Sequence, residues 1–270
     1  MSEDVDVTPK KASVQDILTS VNELNKQQIQ SIYIPSIKDN VNFKPLTVKQ
    51  QKLLLTSGVD LEIENLTFSN TINEIIMENC LSGKNEIKLT DRSIIVYQMR
   101  EKAVGELLKF TDDETEYEVN LREHIDSIKI SSKNPPTTFT IDYEGITIRG
   151  NVPDLMKDSL YNKQFTRTIK NTKRKTVDGV KLTDIVGDIY IHEMVKYVDS
   201  ISINNQTLTL DTSLPVDQAI SIFESLPMAV SKLVADKIKD CREIELDTMS
   251  TTSLPEDVQL PFDASLFTSE

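Results

Sequence analysis

The residue types that most often carry catalysis or bind metal are scarce: two histidines, His124 and His192, and two cysteines, Cys80 and Cys241. Nucleophilic catalysis through a Ser-His-acid or Cys-His pair would need one of these histidines as its base. His192 stands next to Glu193 with no nucleophile-elbow pattern nearby, and His124 sits between Glu123 and Asp126 in a stretch that reads as a charged turn. His124 is expected to be a surface or capping residue, and His192 to lie on a helix without a catalytic partner. Two cysteines so far apart make neither a zinc site nor a disulfide framework. They read as reduced, buried small hydrophobes of a cytosolic protein. No H-E-x-x-H, G-x-x-x-x-G-K-[ST], G-x-G-x-x-G or EF-hand loop occurs. Carboxylate pairs such as Asp112-Asp113, or Asp142 with Glu144, are turn residues first, because 43 acidic residues make close pairs common. The expectation is therefore no catalytic residue, no metal, no cofactor and no small-molecule substrate.

One charge asymmetry stands out. Lys163, Arg167, Lys170, Lys173, Arg174 and Lys175 fall between Tyr161 and Val177 with no acid among them, on a chain of net charge -13 and pI near 4.7. Such a patch can dock an acidic partner or nucleic acid, or it can be a solvated face. Nucleic acid is disfavoured: only Tyr161 and Phe165 could stack on bases, and the overall charge repels phosphate. The start, Met-Ser-Glu-Asp-Val-Asp, lacks an apolar signal region, and no apolar run reaches the roughly 20 residues of a membrane span.

The elements that would position these residues belong to an α+β chain, mainly helical, with a small inserted antiparallel β unit and a second short hairpin. Five segments are expected. Residues 1–30 form an N-terminal arm with a short amphipathic helix (Val14, Ile17, Leu18, Val21, Leu24). That arm serves a partner or packs on its own domain, and both readings stand. Residues 31–110 form an N-terminal helical part. Here Ile32–Ile34 and Val41–Phe43 are extended, Thr47 and Gln50 have capping-box spacing before a helix from Val48 to Ser57, and Thr71 with Glu74 repeats that spacing. A strong helix is predicted from Thr90 or Asp91 to about Phe110, with Gly105 inside it as a point of close packing. Residues 111–151 are the β unit, with Tyr117, Val119 and Leu121, then Ile128 and Ile130, alternating, followed by a hairpin across Glu144-Gly145. Residues 152–245 are the C-terminal helical part, with a hairpin around Asn204-Asn205-Gln206. Residues 246–270 are a tail whose Phe262, Leu266 and Phe267 are candidates for docking on a neighbour or packing back.

Ile34-Pro35-Ser36 and Phe43-Lys44-Pro45-Leu46-Thr47-Val48-Lys49-Gln50-Gln51-Lys52 resemble the N-terminal signature of the T-even-type phage baseplate hub subunit and tail assembly proteins. Leu89-Thr90-Asp91-Arg92-Ser93-Ile94-Ile95 through Gly105, Ile191 to Ile201, and the ending with Phe262 and Leu266-Phe267 are similar in the same order. Some related phage proteins carry a Cys-x-x-Cys zinc knuckle in the β insertion, whereas Tyr117 to His124 contains no cysteine. The resemblance implies a non-enzymatic structural or assembly protein of a contractile phage tail, binding other baseplate hub or tail proteins. It would be a late protein, in the host cytoplasm during assembly or in the virion baseplate. The alternative is a nucleic-acid-binding regulator using the basic segment.

Overall fold

A computed structural model of the chain describes residues 12–57, 64–84, 86–131, 134–175, 182–211 and 213–268. The first helix, α1 (Val14–Gln27), starts at a full capping box: the Ser13 hydroxyl accepts from Asp16 N and the Asp16 carboxylate accepts from Ser13 N. Strands β1 (Gln30–Ile34) and β2 (Asp39–Phe43) pair antiparallel, and their alternation turns Ile32, Ile34, Val41 and Phe43 inward. Both hairpin edges are covered. Gln98 brackets β1, accepting from Tyr33 N and donating to Tyr33 O, each at 2.8 Å. On the β2 side, Lys44 N donates to Asn79 O and Leu81 N to Asn42 O.

Helix α2 (Val48–Ser57) begins at the expected Thr47–Gln50 box. Helix α3 (Glu64–Asn79) corrects the second such box. It starts a turn before Phe68, so Thr71 lies inside it and bonds back to Thr67 O instead of capping. Nothing in Glu64-Asn65-Leu66-Thr67 breaks a helix, and the regular ladder simply runs through it.

Helix α4 (Arg92–Val104) is the centre of the molecule, and Ile94, Ile95, Val96, Tyr97 and Met99 are all buried. It stops earlier than predicted. Gly105 adopts φ 128, and a Cβ there would meet nothing within 4 Å, so this glycine serves a backbone turn and not close packing. Leu107 and Leu108 then belong to β3 (Leu107–Asp112), which pairs with β4 (Thr115–Asn120) across the acidic turn. Ile128 and Ile130 are also reassigned: they lie on helix α5 (Leu121–Ile130), which Asn120 caps through Arg122 N and Glu123 N. Two isoleucines spaced by two do not separate a strand from a helix edge.

The hairpin β5 (Thr138–Tyr143) and β6 (Ile146–Asn151) turns at Glu144 and Gly145, both with positive φ. The hairpin β7 (Val198–Ile203) and β8 (Gln206–Thr209) turns at Asn204 and Asn205, also both positive. These are not separate β units. They join through β6–β7 into one four-stranded sheet of order β5-β6-β7-β8. Between them run α6 (Leu155–Lys175) and α7 (Leu182–Val195), and after them α8 (Val216–Glu224) and α9 (Met228–Cys241). The tail does not begin at residue 246 as an open segment, because α10 (Glu243–Met249) extends the helical part past it.

Candidate partner-docking site

The candidate surface starts with α6, whose two ends do different things. Its first turns are pinned by a buried carboxylate. Asp158 Oδ1 accepts from Lys196 Nζ at 2.7 Å. Asp158 Oδ2 accepts from Asn73 Nδ2 (2.8 Å), Asn162 Nδ2 (3.0 Å) and Arg92 Nη1 (3.2 Å). One side chain thus ties α3, α4, α6 and the end of α7. Burial pushes the Asp158 carboxyl up, but the Lys196 and Arg92 charges outweigh it and hold the group below its ordinary range. Burial likewise pulls Lys196 down, and Asp158 with Glu193 more than offsets this, so Lys196 stays charged. With both oxygens of the buried Asp158 carboxylate bonded, the arrangement holds helices together.

The other end of α6 carries the basic segment, and it is helical where a loop was one reading of it. At 21 residues the helix is about 31 Å long. Positions 163, 167, 170 and 174 follow i, i+4, i+7, i+11 spacing, which aligns them in one row along a helix. Lys163 is exposed and pairs with Glu74 at 2.8 Å, and Arg167 is exposed. The side chains of Lys170, Lys173, Arg174 and Lys175 lie outside the described residues. Tyr161 and Phe165 are both buried, Phe165 against the His192 ring at 4.7 Å. Neither aromatic is available to stack on a base.

The apolar end of the chain also departs from the expected docking role. Leu266 and Phe267 are fully buried in the chain's own core. Phe262 meets Phe68 and Tyr97 edge-on, at 5.8 and 6.5 Å, and lies under the Arg92 guanidinium at 5.3 Å. Backbone carbonyls of this segment are held from α2 and α4. Gln51 Nε2 donates to Phe267 O at 2.9 Å, Arg100 Nε to Leu266 O at 3.2 Å, and the Tyr97 hydroxyl to Pro261 O at 3.2 Å. Leu266 and Phe267 pack into the core beside α2 and α4, so they offer a neighbour no surface.

A family model described as T4 bacteriophage base plate protein matches residues 11–253. The chain belongs to this family. No curated protein and no solved structure matches it. Membership makes the chain a structural baseplate protein of a T4-type phage tail, and its interactions are with other tail proteins. The matched range takes in α1 and both sheet hairpins. It stops before Phe262, Leu266 and Phe267, which the resemblance noted in the sequence had included.

Two features of the baseplate protein were not read from sequence. His124 is not in an exposed turn: it is buried on α5, with Nε2 donating to Thr248 O at 2.8 Å, and burial pushes its pKa down. Asp91, also fully buried, accepts from Ser36 N, Ser36 Oγ and Lys88 N, while burial pushes its carboxyl up. The Ser36–Asp91 bond brings Ile34-Pro35-Ser36 and Leu89-Thr90-Asp91 into contact. Among the described residues, no group of three or more His, Cys, Asp or Glu could hold a metal ion, and no helix is long and apolar enough to cross a membrane.

Proposed function

We propose that this baseplate protein acts at the hub, without enzymatic activity, by binding other hub proteins and holding them in an arrangement competent for assembly. The family match across nearly the whole chain carries the reading. The geometry supports it. The buried charged groups Asp158 and Lys196 are spent on joining helices, while the apolar row of α1 and the Lys163 and Arg167 positions of α6 are left exposed. In this reading the arm at 1–30 and the helical part at 152–245 are the portions that meet partners, and assembly takes place in the host cytoplasm before the protein takes its place in the tail. Coexpression with the hub proteins of the same phage, one at a time, followed by size exclusion, tests it. Comigration with at least one hub protein is expected. If the full-length chain comigrates with none of them, or only with proteins from elsewhere in the tail, the hub assignment fails.

A further inference from the structure

We infer that the cleft between the end of α4, strand β3 and residues 261–268 receives a carboxylate of another tail protein, carried beside an apolar group, on the Arg100 guanidinium. This rests on the binding role proposed above and adds a contact to it.

Arg100 stands near the end of α4 and is buried, at 5 % exposure. Nε donates to Leu266 O at 3.2 Å and Nη1 donates to Gly105 O, so both bonds go to neutral backbone carbonyls. Nη2 has no partner among the described residues, and no carboxylate among them pairs with the guanidinium. Other charges of the body are matched. Lys196 and Arg92 meet Asp158, and Arg242 meets Glu245. Asp91 forms no ion pair, but burial pushes its carboxyl up, and a carboxyl can become neutral by taking a proton. A guanidinium has no such exit, because it keeps its proton in proteins. Burial pulls Arg100 down from its ordinary value with no neighbouring acid to oppose it. The folded chain therefore holds a buried positive charge that no described residue compensates, and an anion placed on Nη2 would lower its cost.

There is room for one. Arg100 lines a cleft of about 460 Å³. Gly105, at φ 128, ends α4 and lets the chain turn into β3, which contributes Leu107, Lys109 and Phe110 to the lining. The segment 261–268 contributes Pro261, Asp263 and Ser265. Lys109 is a second cation of the lining. Its 3.3 Å pair with Glu118 is solvated on both sides and is easily exchanged for another acid. Asp263 is the one acid of the lining, and its carboxylate already caps the turn that follows, accepting from Ser265 N at 2.7 Å. The cleft thus has two cations against one acid, on a chain whose net charge is -13.

The lining also selects among anions. Its surplus is a single positive charge, which one carboxylate neutralises, whereas a phosphate group of about -2 would leave the cleft negative. Nucleic acid would bring a row of phosphates to a strongly acidic chain. Leu107, Phe110 and Pro261 give the cleft an apolar side that a bare inorganic anion leaves unused. An Asp or Glu next to a large apolar residue, on a segment of another tail protein, satisfies both sides. Leu266 and Phe267 stay in the core throughout, and the segment 261–268 takes part through its exposed residues.

The test has two arms, both on the full chain. The first titrates a defined probe, N-acetylphenylalanine, whose carboxylate lies beside an aromatic ring, and follows backbone amides by NMR. Shifts at Leu107, Lys109 and Ser265 are expected with a Kd on the order of 1–10 mM, from one charge-assisted hydrogen bond and one apolar group. The uncharged amide of the probe should leave them unmoved. Arg100→Gln should abolish the shifts, and Lys109→Glu should weaken binding by roughly 10-fold. Lys109 is exposed, so its variant keeps the reading even where Arg100→Gln unfolds. No shift with the probe, or equal shifts with its amide, overturns the inference. Inorganic phosphate binding tighter than the probe assigns the cleft to a free anion and overturns it too. So does tighter probe binding in Glu270→Gln, which would give the cleft to this chain's own carboxylate. The second arm measures Kd for each tail protein of the same phage that comigrates with wild type. Lys109→Glu should weaken at least one of them by roughly 10-fold, and the exposed Lys232→Glu on α9 should not. If every bound tail protein ignores Lys109→Glu, the inference fails and the proposed function stands. If no tail protein binds wild type, the proposed function has failed and the inference with it.

Discussion

Asp158 and Lys196 form an ion pair of 2.7 Å in which both side chains are almost wholly buried, at 1 and 4 % exposure. The pair joins the start of α6 to the end of α7. Removing one partner leaves the other as an uncompensated buried charge. Asp158→Asn is expected to destabilise the protein by about 3–5 kcal/mol, read from urea unfolding followed by circular dichroism. Replacing both, as Asp158→Leu with Lys196→Met, should cost less than either single change. Equal or additive losses would show that the pair is not coupled.

The same carboxylate sets an acid limit. Its folded pKa lies below the ordinary 3.8, so its stabilising effect is fully present above that value and is lost as pH falls through the folded pKa. Acid unfolding of wild type should therefore steepen below about pH 4, and Asp158→Asn should remove part of that steepening.

His124 acts in a higher window. Its folded pKa is pushed below 6.5 by burial, so the unfolded chain takes up a proton first as pH drops. The stability due to neutral His124 is present above 6.5 and declines as pH falls toward the folded pKa. Melting temperatures between pH 7.5 and 5.5 should fall for wild type and fall less for His124→Gln, as an expected order of effect from linkage. Parallel curves for the two proteins would contradict the assignment.

Gly150 on β6 packs under the Phe139 ring of β5, where a Cβ would come within 2.1 Å of Phe139 Cζ. Gly150→Ala should cost about 1–3 kcal/mol through overpacking, and Phe139→Leu in the same chain should restore part of it. An unchanged melting curve for Gly150→Ala would mean the ring has room to move.

Leu266 belongs to the body, so Leu266→Ala should lower stability by about 2–5 kcal/mol. The exposed Lys163→Gln with Arg167→Gln should do the reverse of this: stability stays within about 0.5 kcal/mol, since the Lys163–Glu74 pair is solvated, while partner comigration drops. Loss of comigration with Leu266→Ala at a temperature where it remains folded would return the end of the chain to the docking surface.

Much of the scaffold was legible because its signals are local. Thr47 with Gln50 announces α2, and the pairs Glu144-Gly145 and Asn204-Asn205 announce two hairpins, since each needs only its own neighbours. Ile128 and Ile130 were misread because two positions cannot carry a period. Gly105 was misplaced because its role is a backbone angle that residue type permits but does not dictate. The joins were out of reach for a different reason. Asp158 meets Lys196 and Asn73 across 38 and 85 positions, and nothing local to any of them marks the pairing. The apolar end was visible as Phe262, Leu266 and Phe267, but its destination depends on partners in α2 and α4 that are more than 160 positions away.

Gln51 reaches Phe267 across 216 positions, and Tyr97 reaches Pro261 across 164. On a ribosome, α2 to α4 are therefore made long before the segment that covers them. At ordinary elongation rates the interval is on the order of ten seconds, during which Phe68 and Tyr97 lack their cover. A slow stretch of codons late in the message would lengthen that interval for helices made near its beginning.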